Sequence, residues 1–157
     1  MASVSVKTVG NWKGAEKILG ELVSTVPQAA VIIRQEAEAS KNRLQENLRG
    51  GKIDFAALSS RTHKDNPEKP ILIDTEEYVS AIKVLGRNPM SVGVGIGPTA
   101  KNRDGTSLAK IGLYHEYGTG RMPPRPHWRK EYTVYKRSLS TKLSLLLGSK
   151  VSLAGRR

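Results

Sequence analysis

Apolar residues recur along this chain at helical spacing in three places and at strand spacing in one. From Asn11, whose side chain suits a helix N-cap, Trp12, Ala15, Leu19, Leu22 and Val23 trace one stripe and predict a helix to about Val23. A second helix is predicted from Pro27, which fits the first helical position, to Leu48, just ahead of Gly50 and Gly51. Ala30, Ile33, Ala37, Leu44 and Leu48 fall on one of its faces, and Arg34, Glu38, Lys41, Asn42 and Gln45 dress the opposite, solvated side. The clearest periodicity lies near the end of the chain, where Trp128, Tyr132, Tyr135, Leu139, Leu143 and Leu146 advance by three or four residues at each step. Gly148 is expected to end that helix, leaving residues 149–157 as a basic, mobile tail.

Between the helical stretches the pattern shortens. Lys52 to Leu58 is a weakly apolar segment that fits a short strand or a turn, and His63 to Lys69 is a charged loop. Asp74 or Thr75 caps a short helix to about Ile82, with Glu77 placed to return the cap of Asp74. Ile82–Leu85 and Ser91–Ile96 form a hairpin across Gly86, Arg87, Asn88 and Pro89. Gly97 to Ser107 is polar, basic and long enough to protrude, and residues 1–10 are β-prone and uncapped, which suits an extended arm. These elements define an α+β protein: N-terminal helices, a small, mainly antiparallel sheet and a long C-terminal helix packed on that sheet. Residues 1–157 are expected to make one domain.

Composition narrows the picture. An apolar content of 38% in 157 residues supports one modest core. No apolar stretch approaches the roughly 18 residues of a membrane span, and no charged-then-apolar leader opens the chain, so a protein made and kept in a cytosol is expected. With no cysteine there are no disulfides, thiolate metal sites or cysteine nucleophiles. The net charge of +12 draws the chain to any polyanion and does not choose among them. Aromatic residues near 5% are too few for a base-stacking platform, which leaves non-specific phosphate contact as the open option.

The run from Leu113 to Arg129 packs aromatic, charged, Gly and Pro residues into a pattern that solubility and core packing do not demand. Its first half reads as the last turn of a helix with Gly118 as a left-handed stop, and Met122-Pro123-Pro124-Arg125-Pro126 is stiff and leads into the next helix. His115-Glu116-Tyr117-Gly118-Thr119, followed by Met122-Pro123, Arg125 and Pro126, resembles a motif of the tailed-bacteriophage neck proteins, the tail-completion or virion-morphogenesis family. Two pieces upstream fall in the order such proteins show: Pro70 to Thr75 followed by Ala81-Ile82, and the glycine-rich strand Val92 to Gly95. His127-Trp128 departs from the smaller Phe-Leu type pair usual at that corner, which makes contacts there particular to this protein.

The resemblance implies a structural virion protein of the neck, assembled in the host cytoplasm and forming a ring, expected to be six-fold. The ring would complete the tail and join it to the portal-side connector, with the tail terminator or tail tube below and a DNA channel through the middle. Tyr114, His115, Glu116, Tyr117, Arg121, Met122, Arg125 and Trp128 are the expected partner interface, being of residue types enriched at interface cores or placed among them. A second reading of the same run is compatible: its aromatics pack on the C-terminal helix while Glu116 and Arg125 brace the turn through a charge-assisted hydrogen bond. Lys101 and Arg103 in the polar loop, with Lys150, Arg156 and Arg157 in the tail, are expected to be flexible basic contacts to an acidic neighbour or to DNA.

Catalysis finds no support. His115-Glu116 begins like a zincin helix, but the position four after His115 is Thr119, so the second metal ligand is missing. Gly93, Gly95 and Gly97 alternate on a strand with no helix opening directly after them, unlike a phosphate loop. Asp74, Glu76 and Glu77 suit a helix N-terminus better than an acid pair, and no serine sits in a nucleophile elbow. No cofactor, metal or catalytic residue is assigned. The alternative function is a basic nucleic-acid-binding module, which requires Lys and Arg gathered on one face.

Overall fold

A computed structural model describes residues 12–51, 53 and 76–155, with side chains from Lys13 to Ser149 within those ranges. The expected arm, the charged loop, the Asp74 or Thr75 cap, Arg156, Arg157 and the side chain of Lys150 lie outside the described residues. Helices α1 (Trp12–Ser24) and α2 (Val26–Arg49) come first, then a single turn α3 (Glu77–Ser80), strands β1 (Ile82–Asn88) and β2 (Ser91–Ile96), α4 (Leu108–Tyr117) and the long α5 (Trp128–Gly155). The fold is α+β: helices around a two-stranded antiparallel sheet, with a long C-terminal helix whose first residue, Trp128, reaches the sheet region.

Local chemistry explains the breaks. Thr25 is buried between α1 and α2, and its Oγ1 donates to the Leu22 carbonyl at 2.6 Å, closing α1 before the next helix opens at Val26 with Pro27 in its first turn. At the far end of α2 the Gly50 amide donates to the Glu46 carbonyl at 2.8 Å and Gly51 takes a φ of +59°. In the hairpin Ile82 pairs with Ile96 and Val84 with Val94, and the register shifts between Leu85 and Asn88. Gly86, at φ +143°, sits where a Cβ would collide with the Ser91 carbonyl.

The core is small. Leu44 and Leu48 of α2 meet Tyr78 and Val79 of α3, Ile82 of β1 and Leu108 of α4, with Trp128 packed against the cluster. Gln45 lies beside them, and polarity alone misassigns it to the solvated face of α2. It is half-buried, and its Nε2 donates to the carbonyls of Val79 at 2.9 Å and Ile82 at 3.2 Å, tying α2 to the start of the sheet.

Most of α5 lies along α2 and α1. Ile33 and Ala37 are buried on α2, and two ion pairs cross from α2 to α5. Arg43 reaches Glu131 through Nε at 3.2 Å and Nη2 at 2.9 Å, and Lys142 pairs with Glu36, which is 2% exposed. Burial by itself raises the Glu36 carboxyl, but bonds from Lys142 and Ser138 carry it below its ordinary value. The other carboxylate oxygen of Glu36 has no hydrogen-bond partner among the described residues.

Gly148 does not end the helix. Its backbone stays helical to Gly155, so the segment expected as a mobile tail from residue 149 is a continuation of α5. A glycine inside a helix costs only about 1 kcal/mol relative to alanine, too little to stop a helix that long.

Two leucines test this core. Leu44→Ala should cost about 2–5 kcal/mol, because a side chain only 1% exposed leaves a cavity. Leu19→Ala on α1, where the side chain is 60% exposed, should change the stability of the free chain by no more than about 0.5 kcal/mol. Urea midpoints of the two variants measure the difference.

Candidate functional site

The Leu113–Arg129 run folds into one braced corner. Helix α4 begins at Ser107, whose Oγ accepts the Lys110 amide at 3.4 Å, and ends at Gly118, whose amide donates to the Tyr114 carbonyl at 2.8 Å. Gly118 has φ +77° and ψ 179°, so its φ is positive as expected of a stop, while its ψ is extended rather than left-handed helical. A Cβ there would lie 2.8 Å from the Met122 carbonyl and 2.9 Å from the Pro124 nitrogen, so both conformation and space require glycine. Thr119 and Met122 exchange backbone hydrogen bonds of 2.8 and 3.2 Å around Gly120 and Arg121. The Arg125 amide then donates to the His115 carbonyl at 2.6 Å, laying the proline-rich segment back along α4.

Glu116 holds the corner from inside. Its Oε2 accepts the amides of His127 and Trp128, each at 3.0 Å, and its Oε1 accepts the amide of Arg129 at 3.1 Å. These are N–H groups that a helix start leaves without intrahelical partners, and a carboxylate there also meets the positive end of the helix dipole. One side chain of α4 is therefore the N-cap of α5.

Below it runs a chain of buried polar contacts. The Trp128 Nε1–H donates to the Tyr78 hydroxyl at 2.9 Å, and that hydroxyl lies 2.6 Å from His127 Nε2. His127 Nδ1 lies 3.0 Å from the Arg125 carbonyl, which can only accept, so Nδ1 carries the proton and Nε2 takes the one from Tyr78. Burial pushes the Tyr78 phenol up and the His127 imidazole down, the latter against an opposing pull from the Arg125 carbonyl and Glu116. His115, edge-on to Tyr78 with ring centroids 5.9 Å apart, is lowered to about 4 by burial first and then by His127 and Arg125. Its Nδ1 is buried without a hydrogen-bond partner among the described residues.

The eight expected partner-interface residues divide. Tyr114, Tyr117 and Arg121 are exposed, Tyr117 by 67%, and Arg121 lies beside half-buried Met122 in an open cleft of about 420 Å³ floored by Gly118 and Pro124. Glu116 and Arg125 are buried, and His115 and Trp128 are half-buried against Tyr78. As contact residues Glu116 and Arg125 are therefore corrected: they stand inside the corner, not on its surface. Tyr78, which closes the network, lies 49 residues before His127 and carries no motif that would announce it.

The loop around Lys101 and Arg103, expected to be flexible, is closed by hydrogen bonds of its own. Asn102 Oδ1 accepts the amides of Asp104 at 3.1 Å and Thr106 at 2.8 Å, Lys101 bridges Ser107, and the Leu108 amide donates to the Ala100 carbonyl at 3.0 Å. Gly105 supplies the positive φ of +80°. Asn102 and Asp104-Gly105 are the turn signals in the sequence that foretell this closed shape. Lys101 and Arg103 remain exposed on it.

Among the described residues no group of three or more His, Asp or Glu side chains is placed to hold a metal ion, and no helix is long and apolar enough to cross a membrane. Compared with protein-family models, curated proteins and solved structures, the chain matches none.

Two outcomes follow from this geometry. Gly118→Ala should destabilise by about 1–3 kcal/mol, read from urea unfolding, since the new Cβ meets backbone atoms on two sides. For pH, the folded-state value of His115 near 4 lies below the unfolded 6.5, so the unfolded chain binds protons that the folded one refuses. Stability present near neutrality should thus fall as pH drops from about 6.5 towards 4, by up to about 1.4 kcal/mol per pH unit from this histidine, with His127 adding in the same direction. Comparing unfolding near pH 7 and near pH 5 for the wild type and His115→Leu should show a smaller loss in the variant.

Proposed function

We propose that this chain is a structural subunit of a tailed-bacteriophage neck, assembling as a ring of six copies that completes the tail and joins it to the portal-side connector. The ring acts in the virion, is built in the host cytoplasm and leaves a central passage for DNA. The observation that carries this reading is that the motif residues form a single braced unit. Gly118 and the prolines fix its backbone, Glu116 fastens it to α5, and Tyr114, Tyr117 and Arg121 stand outside it. A rigid corner presenting exposed aromatic and arginine side chains is suited to repeated contact, because little ordering entropy is lost on docking.

Exposed apolar surface supports assembly. On α1, Leu19 and Val23 are 60% and 70% exposed, and Leu113 beside the corner is 58% exposed. A closed ring repeats one heterologous contact, which requires two different patches on each copy, and the α1 ridge and the α4 corner supply two. The alternative, a stand-alone nucleic-acid-binding module, uses the same charge without needing either patch.

The decisive experiment is complementation with Tyr117→Ser combined with Arg121→Ser. Both side chains are exposed, so the variant should keep its melting temperature within about 2 °C and yield heads and tails that do not join. Fully infectious particles from that variant would overturn the interface role. Finding the protein outside the neck of intact virions, or there as an isolated copy, would overturn the ring.

A further inference from the structure

Helix α5 has one acidic residue along its whole length, Glu131, and that residue is buried against Arg43. Its outer face is of a single sign. Arg129, Lys130, Thr133, Lys136, Arg137, Ser140, Thr141 and Ser144 are all exposed and fall within about two fifths of the helical circumference. The exposed side of α2 differs, mixing Arg34 and Arg49 with Glu38 and Glu46. Lys136 and Arg137 make no ion pair with any described residue, and Arg129, though 3.8 Å from Glu116 Oε1, keeps its side chain 67% exposed.

From this we infer that the outer face of α5 is a binding surface for the phosphate backbone of double-stranded nucleic acid, with Arg129, Lys136 and Arg137 as its principal contacts and Lys130 at its margin. The dibasic pairs Arg129-Lys130 and Lys136-Arg137 are two helical turns apart, about 10 Å along the axis. That is close to the roughly 12 Å width of the major groove, so the two pairs can meet phosphates on opposite strands. The hydroxyls of Ser140 and Ser144 lie among and beyond them as further donors, while Thr133 and Thr141 donate to the carbonyls of Arg129 and Arg137, each at 3.0 Å, and the whole row spans about 22 Å.

Competing occupants fit less well. Lys and Arg alternate with hydroxyls here, and the one exposed aliphatic in line with them, Leu147, stands at the end of the row, while an acidic protein partner would want a buried aromatic or aliphatic anchor at the centre of the face. A membrane surface would want one continuous exposed apolar stripe, whereas Tyr135, Leu139, Leu143 and Leu146 are half-buried and the exposed Tyr132, Val134, Leu145 and Leu147 are scattered around the helix. Stacking aromatics for single strands are absent from the row, Tyr132 lying beside it. Contacts are to backbone alone, so base sequence should not matter. The inference does not rest on ring assembly, because a lone copy presents the same face.

Fluorescence anisotropy of the full chain with a labelled duplex of about 30 base pairs, between about 50 and 200 mM salt, tests it. The wild type should bind with a steep salt dependence and equally well to unrelated sequences. Lys136→Gln with Arg137→Gln should weaken binding at least tenfold at the lower salt and reduce the slope of log K against log salt by about 1.8, some 0.9 for each phosphate no longer neutralised. Lys83→Gln with Arg87→Gln, removing equal charge from exposed positions on β1, should weaken it less than about threefold. The exchange Lys136→Arg with Arg137→Lys should bind like the wild type. Equal losses in both glutamine pairs would mean diffuse attraction and overturn the proposal. So would a loss in the charge-preserving exchange as large as in the glutamine pair, tighter binding to a single strand than to the duplex, or phosphatidylglycerol vesicles or polyglutamate displacing the duplex at equal charge. Mass measurement of the same samples reports oligomeric state, so a failure of ring assembly is read separately from a failure of DNA binding.

Discussion

Everything at the functional end of this molecule depends on the three amides that Glu116 accepts. A helix start buried against a neighbour has N–H groups that water cannot reach, and each one left unpaired costs on the order of 1–3 kcal/mol. Supplying the acceptor from α4 satisfies those groups and also fixes the angle at which α5 leaves the corner. The position of Trp128 over the core, the alignment of Tyr78 with His127 and the direction of the basic face all follow from it.

With few buried hydrophobic side chains, the chain relies on polar contacts that ordinarily stabilise little. The α2–α5 seam holds two ion pairs whose carboxylates, Glu36 and Glu131, are both shielded from solvent. Such pairs add specificity more readily than stability, since removing either partner strands a charge in a poorly solvated place. In this chain they act beside the apolar stripes that the two helices carry, Ile33 and Ala37 on α2 and half-buried Leu139, Leu143 and Leu146 on α5.

The helices and the hairpin were legible because their information is periodic: spacing placed Ile33, Ala37, Leu44 and Leu48 of α2 in the interior, although the same kind of stripe on α1 leaves Leu19 and Val23 exposed. Glu116 shows where such reading stops. Its charge suggested Arg125 as the partner, whereas its oxygens accept backbone amides, which leave no trace in residue identity. Gln45 was hidden for a similar reason, because polarity says nothing of the carbonyls of Val79 and Ile82 beside it. The turn at Asn102, by contrast, was written locally in Asn102 and Asp104-Gly105 and was outweighed only by the overall polarity of its segment. The neck assignment rests on the motif, and the corner gives that motif a physical form without naming a partner.

The separations spanned by these contacts imply an order of folding. Glu116 reaches amides only 11 to 13 residues ahead, Tyr78 closes on His127 across 49, and Lys142 meets Glu36 across 106. Chain-closure entropy grows with the logarithm of length, so the last of these costs about 2 kcal/mol more to close than the first. The corner should therefore form early as a local nucleus, and the α2–α5 seam should zip last and open first. A subunit built in this way can loosen the far end of its long helix while its corner stays intact.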